Sequence, residues 1–469
     1  ELKYKLLIGI LKRGKGGNVM KKRTLALLLS SLMVMTSLTG CGGKGDSTGA
    51  SAGETKTLKI AAFEGGYGKV YWEKLKENFE KSHEGVTVEL TVASNIEEVI
   101  RPQIQAGNVP DFIYLATGRP DALTETFTKE QGLQDLSNVL NMKVPGEDVT
   151  VKDKLLPGFT DSYATNPYGD GKTYLLPLFY SPTGLFYNKT LFAEKGYELP
   201  KTWDQMFALG DKAKADGISL WSYPTAGYLD CMIPPMLAAA GGEEAFKDAM
   251  NYKEGFWTSE PATKALETVG KLKDYLDPTV VANANNQSFK NNQQLVLDNK
   301  ALFIPNGTWL PDEMKDAPKA DGFEWGFMAY PAFKDGGDQY SVSFIEQMYI
   351  PKDAKNKELA EEFMAYIYSD EAVKIIAENA KGVVPVKGSM EIANQYLEPL
   401  QVELLKMYDN GAKALLGVFA ATEPVEGLTY SDIYVGTVDS VMTGDKSVKD
   451  WQTSLQEATD KMRANIIKN

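Results

Sequence analysis

The segments between residues 57 and 116 alternate between strand and helix patterns, and this order restricts the folds open to the chain. A short strand is predicted over 57–62, followed by a helix that places Trp72 and Phe79 on one face. Every other residue is apolar in a second strand over 86–92, and the run DFIYLA at 111–116 is typical of a strand buried on both faces. A β-α-β order of this kind favours a parallel sheet covered by helices.

The α/β pattern continues towards the C-terminus. Leu359, Phe363 and Ile367 fall on one side of a predicted helix, and Ser369 is placed to cap the next one. A chain of 469 residues can form more than one core, and no disordered break is evident inside the folded region. We therefore predict an α/β protein in which the chain crosses several times between two lobes.

The scarcity of histidine and cysteine excludes whole classes of site. The chain has a single histidine, His83, and two cysteines, Cys41 and Cys231. Three such side chains cannot complete the four ligands of a structural zinc site, and His83 would have to be the base of any His-containing catalytic triad. We expect no metal, no cofactor and no catalytic residue. We interpret Cys231, which lies in an apolar run, as a buried small hydrophobe.

Charge is distributed unevenly along the chain. The first 40 residues contain eight Lys or Arg and one acid, so the other 429 residues have a formal net charge of −20. A body that acidic is repelled by nucleic acid and by anionic lipid headgroups. We therefore expect no nucleic-acid partner.

The basic N-terminal region has the features of an export signal. A cluster of positive charge at 20–23 precedes a fourteen-residue apolar stretch at 25–38, which is too short to span a bilayer comfortably. We interpret Met20 as the natural start and residues 1–19 as sequence upstream of it. These residues are left out of the predicted fold.

The four residues Leu-Thr-Gly-Cys that end at Cys41 resemble the lipobox of bacterial lipoproteins, in which cleavage exposes the cysteine for lipid attachment. We expect 1–40 to be removed and Cys41 to carry the lipid. Two acyl chains there would anchor the body firmly. The Gly/Ser/Thr-rich stretch 41–56 is predicted to be a flexible tether.

Six motifs of the body occur in the order found in one known family. They are AGNVPDF at 106–112, GKTYLLP at 171–177, GLFYNK at 184–189, LPKTWD at 199–204, ALFIPNGTW at 301–309 and NKELA at 356–360. On these motifs, residues 57–469 resemble the extracellular solute-binding proteins of carbohydrate ABC importers, in the large maltose-binding-like group. The loop at 65–68 resembles the branch that binds N-acetylglucosamine and its β-linked oligomers, and other β-linked or gluco-configured oligosaccharides stay open.

The resemblance implies a periplasmic-binding-protein-like α/β fold, in which two lobes are joined by a hinge and the ligand lies in the cleft between them. One lobe would contain 57–180 and 346–388, and the other 181–345 and 389–469. By similarity the chain would cross between lobes near 180–181, 344–346 and 385–388.

Residues of the first lobe that could bind a sugar are predicted from sugar chemistry and sheet geometry. A sugar has apolar faces that pack on aromatic rings, and hydroxyl edges that need donors and acceptors. Ligands of α/β sheets lie beyond the carboxyl ends of strands, which selects the loops after the first strand and after DFIYLA. The predicted contacts there are Glu64, Gly66, Tyr67, Thr117, Arg119 and Asp121. Each loop could instead be a surface turn, with Arg119 and Asp121 paired to each other.

The second lobe and the crossings supply further candidates. Asn306 and Trp309 follow an apolar strand, and by resemblance Trp309 corresponds to a stacking aromatic, with core packing as the alternative. The other predicted contacts are Trp221 and Tyr228 in a Pro/Gly-containing loop, Glu346 and Gln347 at the second crossing, and Tyr434 where the family often supplies another ring.

The resemblance implies a binding protein rather than an enzyme. It would capture a carbohydrate, close by hinge bending and deliver the sugar unchanged to the permease of an ABC importer. We expect it to act as a monomer, tethered by lipid to the outer face of the bacterial cytoplasmic membrane. Two alternatives stay open: the same fold with a polyamine, phosphodiester or peptide as cargo, and a lipid-anchored glycoside hydrolase with paired carboxylates.

Overall fold

The computed structural model describes residues 56–160 and 162–467. The predictions for 1–40, for Cys41 and for 41–55 lie outside these residues. Lys56, the last residue of the predicted tether, begins the first strand. Within the described ranges no helix has the length and apolar character needed to cross a lipid bilayer.

Strands and helices alternate through most of the described chain. The strands are β1 (Lys56–Phe63), β2 (Val86–Ala93), β3 (Phe112–Tyr114), β4 (Leu176–Asn188), β5 (Ser219–Trp221), β6 (Ala301–Gly307), β7 (Trp325–Met328), β8 (Tyr340–Tyr349) and β9 (Lys413–Leu415). The α-helices are α1 (Val70–Ser82), α2 (Ile96–Gln105), α3 (Leu123–Lys129), α4 (Ser137–Asn141), α5 (Val151–Lys154), α6 (Lys189–Lys195), α7 (Trp203–Ala215), α8 (Ile233–Met250), α9 (Glu260–Lys271), α10 (Val280–Asn283), α11 (Phe289–Leu297), α12 (Leu310–Glu313), α13 (Lys357–Ile367), α14 (Asp370–Ala380), α15 (Ser389–Ala393), α16 (Pro399–Leu405), α17 (Tyr430–Tyr434), α18 (Val438–Thr443) and α19 (Val448–Ala464). Short 3₁₀ helices span Ala226–Cys231, Phe256–Thr258 and Leu272–Tyr275.

The described strands form one mixed sheet in the order β2-β1-β3-β8-β4-β6-β5, with β7 paired to β4 and β9 to β8. β1 pairs in parallel with both β2 and β3, as the β-α-β pattern predicts. β8 runs antiparallel to β3 and to β4, so the sheet is not parallel throughout. β3 is shorter than the predicted strand, although Asp111 and Leu115 on either side of it are also buried.

Two large apolar clusters form separate cores. The first core is drawn from 58–179 and 348–386, and it includes Trp72 and Phe79 of α1. The second core is drawn from 185–342 and 404–458. The protein therefore has the two-lobe α/β architecture predicted from its sequence, and we call the surrounding halves the first and second lobe. The exact residue boundaries of the lobes stay a prediction.

Strands β4 and β8 connect the two cores, and we call them the hinge strands. The first half of β4 pairs with β8, with Tyr180 opposite Ile345 and Ser181 opposite Phe344. The second half, from Thr183 onwards, pairs with β6 and β7. Both strands therefore pass from one lobe to the other without interruption.

Asp111, just before β3, is a buried carboxylate that ties distant parts of the first lobe together. It is 1% exposed. Its oxygens accept hydrogen bonds from the backbone N–H groups of Lys59 at 2.9 Å, Lys355 at 3.0 Å and Asn356 at 2.8 Å. These bonds replace the water that burial removes, and they connect β1 to the start of α13.

The Asp111→Asn variant tests this connection. The substitution keeps the side-chain shape but turns an NH₂ group towards N–H donors, so at least one buried donor loses its acceptor. We expect the free energy of unfolding, measured in urea, to fall by about 2 kcal/mol. The control is Asp148→Asn, because Asp148 is exposed and its ion pair with Lys143 should contribute little. Equal losses in the two variants would contradict the assignment.

Candidate functional site

Two loops of the first lobe meet at one edge of the sheet. One loop follows β1 and contains Glu64 and Tyr67, and the other follows β3 and contains Thr117 and Arg119. Because β1 and β3 are adjacent and parallel, both loops leave the sheet at the same edge. The guanidinium carbon of Arg119 lies 3.8 Å from the ring centroid of Phe63, the last residue of β1, so the loops are in contact.

Glu346, on hinge strand β8, interacts with residues of both loops. The hydroxyl of Tyr114 donates a hydrogen bond to its carboxylate. Burial raises the pKa of Glu346, while that hydrogen bond and the positive charge of Arg119 act to lower it. Burial, and next the negative charge of Glu346, raise the pKa of Tyr67. We call Tyr67, Tyr114, Arg119 and Glu346 the polar group.

Two residues of hinge strand β4 support Tyr67, and the sequence analysis did not identify either. The Phe179 ring stacks on the Tyr67 ring with centroids 3.9 Å apart and planes at 20°. The side chain of Ser181 hydrogen-bonds the Tyr67 hydroxyl. One face of Tyr67 is thus covered, and the ring is held beside Glu346. Their position at the first predicted crossing was the only signal in the sequence.

Gln347 holds the loop after β3. Its side chain is nearly inaccessible, at 2% exposed. Its amide oxygen accepts from the Thr117 N–H and its amide NH₂ donates to the Thr117 hydroxyl, both at 3.2 Å. Because both ends of the amide are engaged, Gln347 positions Thr117. This corrects the prediction that Gln347 itself contacts the ligand.

Gly66 and Asp121 lie exposed on the two loops. Arg119 forms an ion pair with Glu97, with 2.8 Å between Nε and Oε2, and not with Asp121. The backbone carbonyl of Asp121 accepts a hydrogen bond from Arg101 at 2.7 Å. The alternative in which Arg119 and Asp121 pair on the surface is therefore wrong.

Trp309 and Phe344 form an exposed aromatic pair, and we use that name for them below. They are 37% and 46% exposed, their ring centroids lie 5.7 Å apart and their planes meet at 53°. The indole N–H of Trp309 donates to the hydroxyl of Tyr228. The indole also lies directly over Gly307, where a Cβ would come within 2.1 Å of it. Glycine is therefore required at that position for this placement of the ring.

Two polar side chains belong to the same part of the second lobe. Asn306 is buried, and its amide oxygen accepts from the Gly307 N–H at 2.8 Å. Its amide nitrogen has no hydrogen-bond partner among the described residues. Asp230 is exposed, and its carboxylate accepts a hydrogen bond from the Cys231 thiol at 3.1 Å. The sequence analysis missed Asp230, although it lies two residues after Tyr228.

Phe344 joins the aromatic pair to the polar group. Alternate residues of a strand point to the same face, so Phe344 and Glu346 share one face of β8. Ile345, between them, packs with Tyr180 and Phe159 in a separate apolar cluster. The aromatic pair therefore lines one surface together with Tyr67, Arg119 and Glu346, and this surface extends from one lobe to the other, while Tyr114 is 2% exposed and supports Glu346 from the first core. That surface offers rings to apolar faces, and carboxylate, hydroxyl and guanidinium groups to polar edges.

Trp221 and Tyr434 do not belong to this surface. Trp221 is 0% exposed, and its ring centroid lies 6.2 Å from that of Trp203 in the second core. Tyr434 is 3% exposed and packs against Tyr430 and Trp257. The prediction that these two rings contact the ligand is wrong. The Pro/Gly composition after Trp221 indicated a loop, but Trp221 itself ends β5.

The described residues offer no metal centre. No group of three or more His, Cys, Asp or Glu side chains among them is arranged to hold a metal ion. Cys231 is buried, as predicted, and burial raises the pKa of its thiol well above the usual range. The thiol is therefore neutral and is not a reactive group.

A cavity of about 490 Å³ lies elsewhere, between the segment that leads into β4 and the end of α8. Tyr163 and Asn251 line it, and their side chains are joined by a hydrogen bond of 2.5 Å. None of the predicted ligand contacts lines this cavity, and no carboxylate of residues 56–160 or 162–467 does. The surface formed by the aromatic pair and the polar group is therefore the better candidate for a sugar site.

Similarity to known proteins identifies relatives with a named ligand. The profile of the family described as bacterial extracellular solute-binding protein matches residues 65–374. NgcE, a diacetylchitobiose-binding protein of Streptomyces coelicolor, is 27% identical over 423 residues, which cover 88% of this chain and 86% of the relative. DasA, a second diacetylchitobiose-binding protein of that organism, is 25% identical over 396 residues, 79% of this chain and 83% of the relative.

Comparison with a solved structure supports the same fold. The apo form of RafE from Streptococcus pneumoniae aligns with 87% of this chain and 100% of its own, with a TM-score of 0.61 and 20% sequence identity. At that identity the likeness shows the fold alone. The predicted two-lobe binding-protein fold is confirmed.

Glu346→Gln tests the burial of this carboxylate. A carboxyl whose pKa is raised in the folded protein stabilises the fold at pH values below the pKa it has in the unfolded chain. This stabilisation is lost as the pH rises through the pKa of the folded state. Glutamine does not ionise, so the variant should have a higher Tm than the wild type at pH 8, and the difference should narrow at pH 4. The exposed Glu84→Gln variant is the control and should follow the wild type at both values. A difference that does not change with pH would exclude burial as the cause.

Proposed function

The chain belongs to the bacterial extracellular solute-binding protein family, and we propose that it captures a carbohydrate between its lobes and delivers it to the permease of an ABC importer. Membership of this family confirms the prediction of a binding protein rather than an enzyme. The lipid-anchored glycoside hydrolase is thereby set aside. A non-sugar cargo is the second candidate for the same site.

The observation that carries the proposal is the shared surface of the aromatic pair and the polar group. Trp309 and Phe344 present accessible rings, which suit the apolar faces of a sugar. Glu346 and Arg119 supply an acceptor and a donor for hydroxyl edges beside them. A polyamine would need several carboxylates in place of the rings, and a phosphate would need several cations, so both fit this surface less well.

We propose a β-linked oligosaccharide of N-acetylglucosamine as the ligand. Two relatives named for binding diacetylchitobiose support this class, with alignments that cover most of the chain. The loop after β1, in which Tyr67 lies next to Glu346, also supports it, because the sequence of residues 65–68 resembles the same branch.

Capture would proceed by bending at the hinge strands. The aromatic ring of Trp309 belongs to the second lobe and the Tyr67 and Arg119 side chains to the first. A sugar that touches both sets favours the conformation in which the lobes are close, and this differential affinity shifts the population towards the closed form. A Kd of 1 μM corresponds to about −8 kcal/mol, which a few stacked rings and paired hydroxyls can provide.

The N-terminal pattern supports attachment to the membrane through Cys41. We propose that the mature protein begins at this cysteine, carries lipid on its thiol and acts as a monomer at the outer face of the cytoplasmic membrane. When expressed in a bacterial host, the wild type should partition into the detergent phase of Triton X-114 and the Cys41→Ser variant into the aqueous phase. Aqueous partitioning of both proteins would contradict lipidation.

Isothermal titration with N-acetylated and plain oligosaccharides tests the ligand. We expect saturable binding of diacetylchitobiose, and recovery of the sugar unchanged. Trp309→Ala should weaken that binding by about 1–2 kcal/mol, because it removes a stacking ring. Trp221→Phe is the matched control: it changes a buried tryptophan of the same lobe and should leave the affinity unchanged. If the folded protein binds no sugar in the panel, another solute is its cargo.

A further inference from the structure

Glu97 is a buried acid with no role in the proposed capture of a sugar. It lies in the first turn of α2, and its side chain is 1% exposed. A carboxylate so deeply buried is costly unless it is paired and hydrogen-bonded. The groups that pair with Glu97 therefore indicate its role.

Both oxygens of Glu97 bind the segment that follows β3. Oε2 accepts from Nε of Arg119 at 2.8 Å. Oε1 accepts from the backbone N–H of Leu123, the first residue of α3, at 3.3 Å. The carboxylate thus fixes one side chain of the polar group and also the start of the next helix.

Arg119 is held on two sides by this arrangement. Glu97 binds its Nε, and the ring of Phe63 lies 3.8 Å from its guanidinium carbon. Its terminal Nη groups have no hydrogen-bond partner among the described residues. Its positive charge opposes the rise in pKa that burial causes at Glu346. A guanidinium offers only donors, so the free Nη groups suit an acceptor oxygen of a ligand.

We propose that Glu97 is a positioning residue for ligand binding, which acts through Arg119 by holding the guanidinium against Phe63 with its Nη groups free for an acceptor such as an amide carbonyl or a hydroxyl oxygen. The inference rests on the proposed function, because it concerns the same surface. An arginine fixed before the ligand arrives loses less rotamer freedom on binding than a mobile one. The expected effect of Glu97 is therefore on affinity.

The remainder of the loop has anchors that do not involve Glu97. Gln347 holds Thr117 at 3.2 Å, and Arg101 holds the carbonyl of Asp121 at 2.7 Å. The N–H of Gly118 donates to Glu125 at 2.6 Å. Loss of the Glu97 charge should therefore release the Arg119 side chain while the backbone of the loop stays in place.

The test compares Glu97→Gln with Glu98→Gln, the neighbouring exposed glutamate of α2, in titrations with diacetylchitobiose. We expect Glu97→Gln to weaken binding roughly three- to ten-fold, the cost of ordering one long side chain, and Glu98→Gln to match the wild type. In an Arg119→Gln background, Glu97→Gln should cause no further loss. Unchanged affinity in the single variant, or losses that simply add in the double variant, would overturn the proposal.

A second readout needs no ligand and so separates this proposal from the sugar assignment. In ¹⁵N-detected NMR of the full chain, the Arg119 Nε–H signal, identified by its absence in Arg119→Gln, should be sharp in the wild type and in Glu98→Gln. It should broaden or exchange with solvent in Glu97→Gln. If the wild type binds no diacetylchitobiose, the Arg119 Nε–H signal alone tests the positioning role of Glu97. A signal that stays sharp in Glu97→Gln would overturn that role.

Discussion

The pairing of β4 with β8 organises both the connection between the lobes and the proposed ligand surface. These two strands pass from one core to the other, with Ser181 opposite Phe344 at the crossing. Side chains alternate between faces, so Phe344 and Glu346 face the ligand surface while Ile345 packs into an apolar cluster on the other side. A slip of one residue in this pairing would exchange the two sets. The same register therefore determines where the lobes join and which side chains the proposed ligand surface presents.

Accessible side chains of the surface are held in place by groups that a ligand does not reach. Glu97 and Phe63 hold Arg119, and Gly307 leaves room for the indole of Trp309. Burial raises the pKa of Glu346, so the carboxylate is kept beside Tyr114 at some expense of stability. A loss of stability of this kind is common where a protein holds a polar group in position for a ligand, because less conformational entropy is then lost when the ligand binds.

The sequence predicted which loops meet, but not which of the candidate side chains are accessible. The rule that ligands lie beyond strand ends led to the loops of Glu64 and Arg119, which do meet at one edge of the sheet. Trp221 and Tyr434 are instead buried in the second core, because neither a nearby loop composition nor a family likeness shows which rings other elements will cover. Gln347 was placed correctly on the crossing, but its burial and its two bonds to Thr117 make it an anchor.

The amino-acid sequence alone determined the α/β order of the elements, the family through its six motifs, and the absence of enough His and Cys for a structural zinc site. These properties depend on local periodicity, on short segments and on composition, all of which can be read along the chain. The tertiary structure alone decided which rings are accessible and that Glu97 holds Arg119. Such properties arise from contacts between residues far apart in the chain, and neither residue type nor spacing records which of them will be covered when the lobes fold.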